Sequence, residues 1–156
     1  MHFSFSYDKN KTIQGLRYHF FSKKEIKVMI IVVNVFAIVA AILYYNHMVR
    51  PEPLMLGSCI WVCMMISIWF ILPYTIYRKS ATFKDSYIIY ITDAGIRLEN
   101  TNGHVMWPWD CFIKYYESPH FIHLYFDEKS FFLVPKENIT EEIKNELRIV
   151  LRQRIG

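Results

Sequence analysis

Cys59 and Cys63 are the residues whose type and spacing most suggest chemistry. Four residues apart on a helix, two thiols share one face. A metal site needs three or four ligands, and the apolar stretch around them supplies no His, Asp or Glu. Ser67 continues the same spacing, and Gly57 and Ser58 lie one turn earlier. Small residues at that period let two membrane helices approach closely. Asn34, Ala37 and Ala41 form a matching stripe upstream. The expectation is packing: the two stripes face each other within a hairpin or across a dimer, with Asn34 bonded to a neighbouring helix.

The remaining reactive groups give little. His104, His120 and His123 could gather around a metal, but His120 and His123 are awkwardly spaced for one ion at a strand start. Cys111 reads as a core gap-filler. Asp85, Asp93, Asp110, Glu117, Asp127 and Glu128 mostly fall in or near turns, where carboxylates cap the backbone. There is no G-x-S-x-G, Walker loop, H-E-x-x-H or C-x-x-C. The glycines are isolated, so no phosphate-cradling loop exists. No catalytic residue, metal or cofactor is expected, and the chain reads as a non-enzyme. Trp107 and Trp109 are candidate partner or lipid contacts; Trp107 is expected to be buried, and Trp109 stays open between core and contact. Arg78, Lys79 and Lys84 could meet anionic headgroups at about 1 kcal/mol each.

The elements that must position these residues begin with two apolar blocks. The 156 residues are 53% hydrophobic, and the hydrophobicity is concentrated. Val28 to Tyr45 and Leu54 to Tyr77 carry no charge and no polar face. Roughly 18 helical residues at about 1.5 Å each approach the ~30 Å hydrocarbon core, so both blocks read as membrane spans. The polar residues before the first block, and the lack of a cleavage site after it, argue against a signal peptide. Arg17, Lys23, Lys24 and Lys27 precede the first block, and Arg78, Lys79 and Lys84 follow the second. The loop between carries only Arg50, which places both termini in the cytoplasm. Pro73 is expected to kink or end the second span.

Beyond Lys79 the pattern becomes strand-like. Tyr87–Thr92, Ile96–Glu99, His104–Trp107, Ile113–Glu117, Phe121–Phe126 and Phe131–Val134 read as strands separated by turn residues, with Asn102-Gly103 as a hairpin signal. His2–Tyr7 alternates and can join the same sheet. Asn138 with Glu141 suggests a helix start, and Ile143, Leu147, Val150 and Leu151 form its apolar stripe. The fold class expected is membrane α+β: a two-helix hairpin plus a small antiparallel sandwich closed by a C-terminal helix. The divisions are residues 1–27, an N-terminal strand and juxtamembrane amphipathic segment; 28–45, the first span; 46–53, a non-cytoplasmic loop; 54–77, the second span; and 78–156, a cytoplasmic domain. Residues 8–27, with Ile13, Leu16, Phe20 and Phe21, read either as a helix at the membrane surface or as one packed on the domain.

The hairpin, then Ile91-Thr92-Asp93-Ala94-Gly95-Ile96, Trp107, Phe121–Tyr125, Phe131–Lys136 and a closing amphipathic helix together resemble the YcxB-like family. The resemblance implies a bacterial membrane protein with a PH-like C-terminal domain and no assigned activity. Pro108 and Trp109 depart from its pattern.

The function expected is a non-enzymatic inner-membrane protein that tethers a binding or adaptor domain to the cytoplasmic face. The alternative is a small immunity or regulatory protein acting through the hairpin on a toxin or transporter. Partners expected are the lipid bilayer and a membrane or cytoplasmic protein, with a homo-oligomer allowed. A net charge of +4, much of it flanking the spans, gives no case for nucleic acid.

Overall fold

The structure is a computed structural model and describes residues 1–137 and 139–156. The chain divides into two compact units: Met1–Gly15 with Ser80–Gly156, and Leu16–Lys79. The first unit is therefore discontinuous in sequence. Its first strand is separated from the rest by the whole second unit.

In the discontinuous unit, strands β1 (His2–Ser6), β2 (Ser86–Thr92), β3 (Gly95–Asn100) and β4 (Gly103–Pro108) form one sheet in that order. Strands β5 (Lys114–Glu117), β6 (Phe121–Tyr125) and β7 (Phe131–Pro135) form a second, separate sheet. All pairings are antiparallel. β1 joins at the edge of β2, with Phe3 opposite Ile89 and Phe5 opposite Tyr87. Its alternating pattern sends Phe3 and Phe5 inward and His2, Ser4 and Ser6 outward. The core gathers Phe3, Phe5, Ile89, Ile91, Ile96 and Leu98 from the first sheet, and Ile122, Leu124, Phe132 and Val134 from the second.

The C-terminal helix (Glu141–Arg154) closes this core with Leu147 and Leu151, flanked by Ile143 and Val150. Asn138 lies outside the described residues. The N-cap is Thr140, whose hydroxyl accepts from Ile143 N at 3.4 Å. At the β2–β3 turn, Gly95 has φ +149, and a Cβ there would lie 2.1 Å from Trp107 O. Only glycine suits that approach.

Helix α1 (Lys9–Ser22) starts in this unit. Gly15 meets Phe121, 2.8 Å from where a Cβ would stand. Thr12 and Gly15 are buried on the part of α1 that belongs to this unit.

The second unit holds two long apolar helices. Helix α2 spans Lys24–Tyr45, 22 residues, and helix α3 spans Pro51–Lys79, 29 residues. Both pass the length and apolarity needed to cross a membrane, and almost none of either is buried. Phe36 is 71% exposed and Ile60 61%. Each helix extends past its apolar block because flanking polar residues continue the backbone hydrogen bonding. Pro51 and Pro53 belong to the first turn of α3, where a missing N–H costs nothing. His47, at φ +56, ends α2: its N–H donates to Tyr44 O, and Met48 N–H to Leu43 O.

Pro73 does not end α3. A π turn at Ser67–Ile71, closed by Leu72 N–H to Ser67 O, precedes it, and the helix runs on to Lys79. The wider turn takes up the misfit of a proline ring inside a helix.

Phe5→Ala should destabilise the domain by about 3–4 kcal/mol, since the ring is nearly fully buried against Tyr7, Tyr87 and Phe132. Ser4→Ala on the outward face should cost less than about 0.5 kcal/mol. Thermal unfolding of the purified full chain checks the contrast.

Candidate functional site

A concavity of the domain lies beside β4. This strand ends its sheet, so the backbone groups on its outer side meet no further strand. It is also exposed along almost its full length; Val105 is 43% and Met106 41% accessible. Register decides which side chains face inward. Ile96 pairs with Trp107 and Leu98 with Val105. Because Ile96 and Leu98 are core residues, Val105 and Trp107 lie on the core face of the sheet.

There they line a cleft of about 480 Å³. Tyr87, Phe126, Phe131 and Phe132 contribute aromatic wall, and Asn100, Asn102 and His104 supply polar groups. Trp107 contacts Phe126 and Phe132 with ring centroids 5.0 and 5.1 Å apart. An apolar concavity with a few polar groups beside an unpaired strand edge suits an extended peptide: the backbone would add to β4, and alternate side chains would enter the cleft.

The two tryptophans divide unlike the expectation. Trp109 is the buried one, 7% exposed, and its Nε1 donates to Thr92 O at 3.1 Å. Trp107 is only partly buried, in the cleft. Pro108 ends β4 and a 3-10 turn begins at Trp109, which breaks the period-two relation between them. Arg78, Lys79 and Lys84 are exposed, the first two in the last turn of α3.

In the helical unit, Asn34 Nδ2 donates to Ile30 O of its own helix at 2.7 Å. Asn34 and Ala37 line a groove with Leu54, Gly57, Ser58 and Trp61 of α3. Cys59, Cys63 and Ala41 are exposed and do not line it. The face of α3 toward α2 is thus offset by about one residue from the cysteine stripe. Ser67 donates to Cys63 O at 2.8 Å and opens the π turn. Cys111 is exposed beside the buried Trp109.

No group of three or more His, Cys, Asp or Glu able to hold a metal occurs among the described residues. His104, His120 and His123 do not gather. His123 is fully buried, with Nε2 3.0 Å from Ser118 Oγ, and that hydroxyl donates to Phe121 O. The pair staples the β5–β6 turn.

One ionic cluster escaped the sequence reading. Glu117 at the end of β5 accepts from Arg148 Nε and Nη2 at 3.0 and 2.7 Å, and from Lys136 Nζ at 2.9 Å. The Arg148 hydrogen bonds hold the Glu117 carboxyl down to about 2, with Lys136 assisting and partial burial opposing. The cluster clips the C-terminal helix to the second sheet. Only the helix period, which puts Arg148 off the apolar stripe, could have hinted at it.

Together these features define a small discontinuous α+β domain, whose first strand-to-strand connection contains two long apolar helices. Within it, residues 91–148, from the end of β2 into the C-terminal helix, match the family model described as YcxB-like protein. No curated protein and no solved structure matches the chain.

Glu117→Gln should cost about 1–2 kcal/mol, the scale of a partly exposed bidentate pair. Because the folded value is depressed, the wild-type contribution is present above about pH 4.5 and is lost as pH falls toward about 2. Acid titration of stability should show this loss in the wild type, and the Gln variant should lack it.

Proposed function

We propose that the chain is a non-enzymatic integral membrane protein that holds a PH-like binding domain at the cytoplasmic face of the cell membrane. The observation that carries this reading is the pairing of β1 with β2. Strands in one sheet lie on one side of a membrane, so the chain between them must leave and return. Two apolar helices of 22 and 29 residues, roughly 33 and 43 Å long, suit one crossing each way. Basic residues at both flanks, against Arg50 alone in the connection, favour the cytoplasm for the domain. Four strands plus three, closed by a C-terminal helix, agree with a PH-like arrangement.

In this reading the domain is an adaptor. The β4 edge and its aromatic cleft receive an extended segment of a protein partner, and tethering raises its local concentration near other membrane proteins. A reporter that is active only in the cytoplasm, fused at Gly156, should be active, and a cysteine placed in the 46–50 connection should be labelled from outside. Val105→Lys should leave the melting temperature within a few degrees while abolishing crosslinks from the domain to its partner in native membranes. Unchanged crosslinks would remove β4 from the account.

A second reading, a membrane immunity or regulatory protein acting through the hairpin on a toxin or transporter, draws on a different observation. Trp61 Nε1 is buried beside the groove of α2 and α3 with no hydrogen-bond partner among the described residues. Trp61→Phe, which removes that N–H, would separate the readings: the adaptor account expects normal partner capture.

A further inference from the structure

Pro73 sits inside α3 and brings no N–H to the carbonyl four residues back, which is Trp69. That oxygen accepts from Arg17 Nε at 2.9 Å. The guanidinium also lies over two rings of α3, 5.1 Å from the centroid of Trp69 and 5.4 Å from that of Phe70. One directional hydrogen bond and two aromatic contacts hold the guanidinium in place. Its Nη donors have no carboxylate partner among the described residues, because every ion pair there is made by other cations.

The surroundings carry the same charge. Lys23, Lys24 and Lys27 follow, accompanied only by Glu25, and Arg78 and Lys79 close α3. None of these cations is ion-paired among the described residues. Depth is consistent with an interface. Counting from Leu54, the helix has risen roughly 23 Å by Trp69 and the hydrocarbon ends at about 30 Å. An arginine stem can carry its head from there to the headgroups, and tryptophan is enriched in that zone.

We propose that Arg17 is the binding residue of a site for the phosphate of an anionic phospholipid headgroup, at the cytoplasmic end of the hairpin. The proposal rests on the membrane reading above. A guanidinium already committed through Nε keeps its Nη donors for phosphate, a geometry the lysines cannot supply. The lysines add field but no fork.

The test uses the purified full chain in detergent, mixed with phosphatidylglycerol or phosphatidylcholine, with bound lipid counted by native mass spectrometry. Wild type should retain phosphatidylglycerol at least about tenfold over phosphatidylcholine. Arg17→Lys and Arg17→Gln should each remove most of that preference, while Lys79→Gln should reduce it no more than about twofold. An unchanged preference in both Arg17 variants, no preference in wild type, or displacement by millimolar inorganic phosphate would each overturn the proposal. If Arg17→Gln fails to fold, Phe70→Leu, which removes one ring contact of the guanidinium, should weaken the preference in the same direction; no effect there counts against the site. Release of the wild-type chain from native membranes by carbonate would instead sink the membrane reading itself.

Discussion

The pairing of β1 with β2 is the constraint on which the rest depends. Five residues at the start of the chain, His2–Ser6, take their hydrogen-bond partners from Ser86–Thr92. The loop they close contains both long apolar helices. Closing it carries an entropic cost that grows only slowly with length, and Phe3 and Phe5 offset that cost by entering the common core. The register also orients the chain: shifted by one residue, the strand would turn both rings to solvent and bring Ser4 inward. In the reading proposed, the same ladder requires that the two flanks of the hairpin end on one side of the membrane.

Much of this architecture was legible in the residues. Seven strand segments stand out by alternation or apolar runs between turn residues, and the observed strands differ from them by one or two residues at their ends. The apolar blocks stand out for a simpler reason, since uncharged stretches of that length have few other uses. The bounds of the helices were less legible. Nothing apolar marks Lys24 as the start of α2, and a Pro-Glu-Pro sequence resembles a loop although prolines suit a first helical turn.

What stayed hidden depends on distant partners. Trp107 is less buried than expected and Trp109, left open by the sequence, is the core residue, because a strand ends between them and only the fold places Thr92 O within reach of the Trp109 indole. The Glu117–Lys136–Arg148 cluster joins three elements, and no local pattern announces it. The offset between the cysteine stripe and the groove of α2 and α3 is of the same kind: a small-residue period marks a face, but not which face meets the neighbour, and the groove is lined by Leu54, Gly57, Ser58 and Trp61 instead. Pro73 shows the converse case. The sequence flags a break, and the structure takes it up beside a π turn in which the Trp69 carbonyl accepts from Arg17.

The central claim is that residues from both sides of the hairpin share one sheet. It is tested most directly by a disulfide between Ser4→Cys and Ile88→Cys, which stand opposite each other on the outward face, in a chain with Cys59, Cys63 and Cys111 replaced by Ala. The account predicts an intramolecular crosslink on mild oxidation in native membranes, at near-full yield and without loss of folded protein. Absence of that crosslink, with the two cysteines labelled from opposite sides of the membrane, would contradict it.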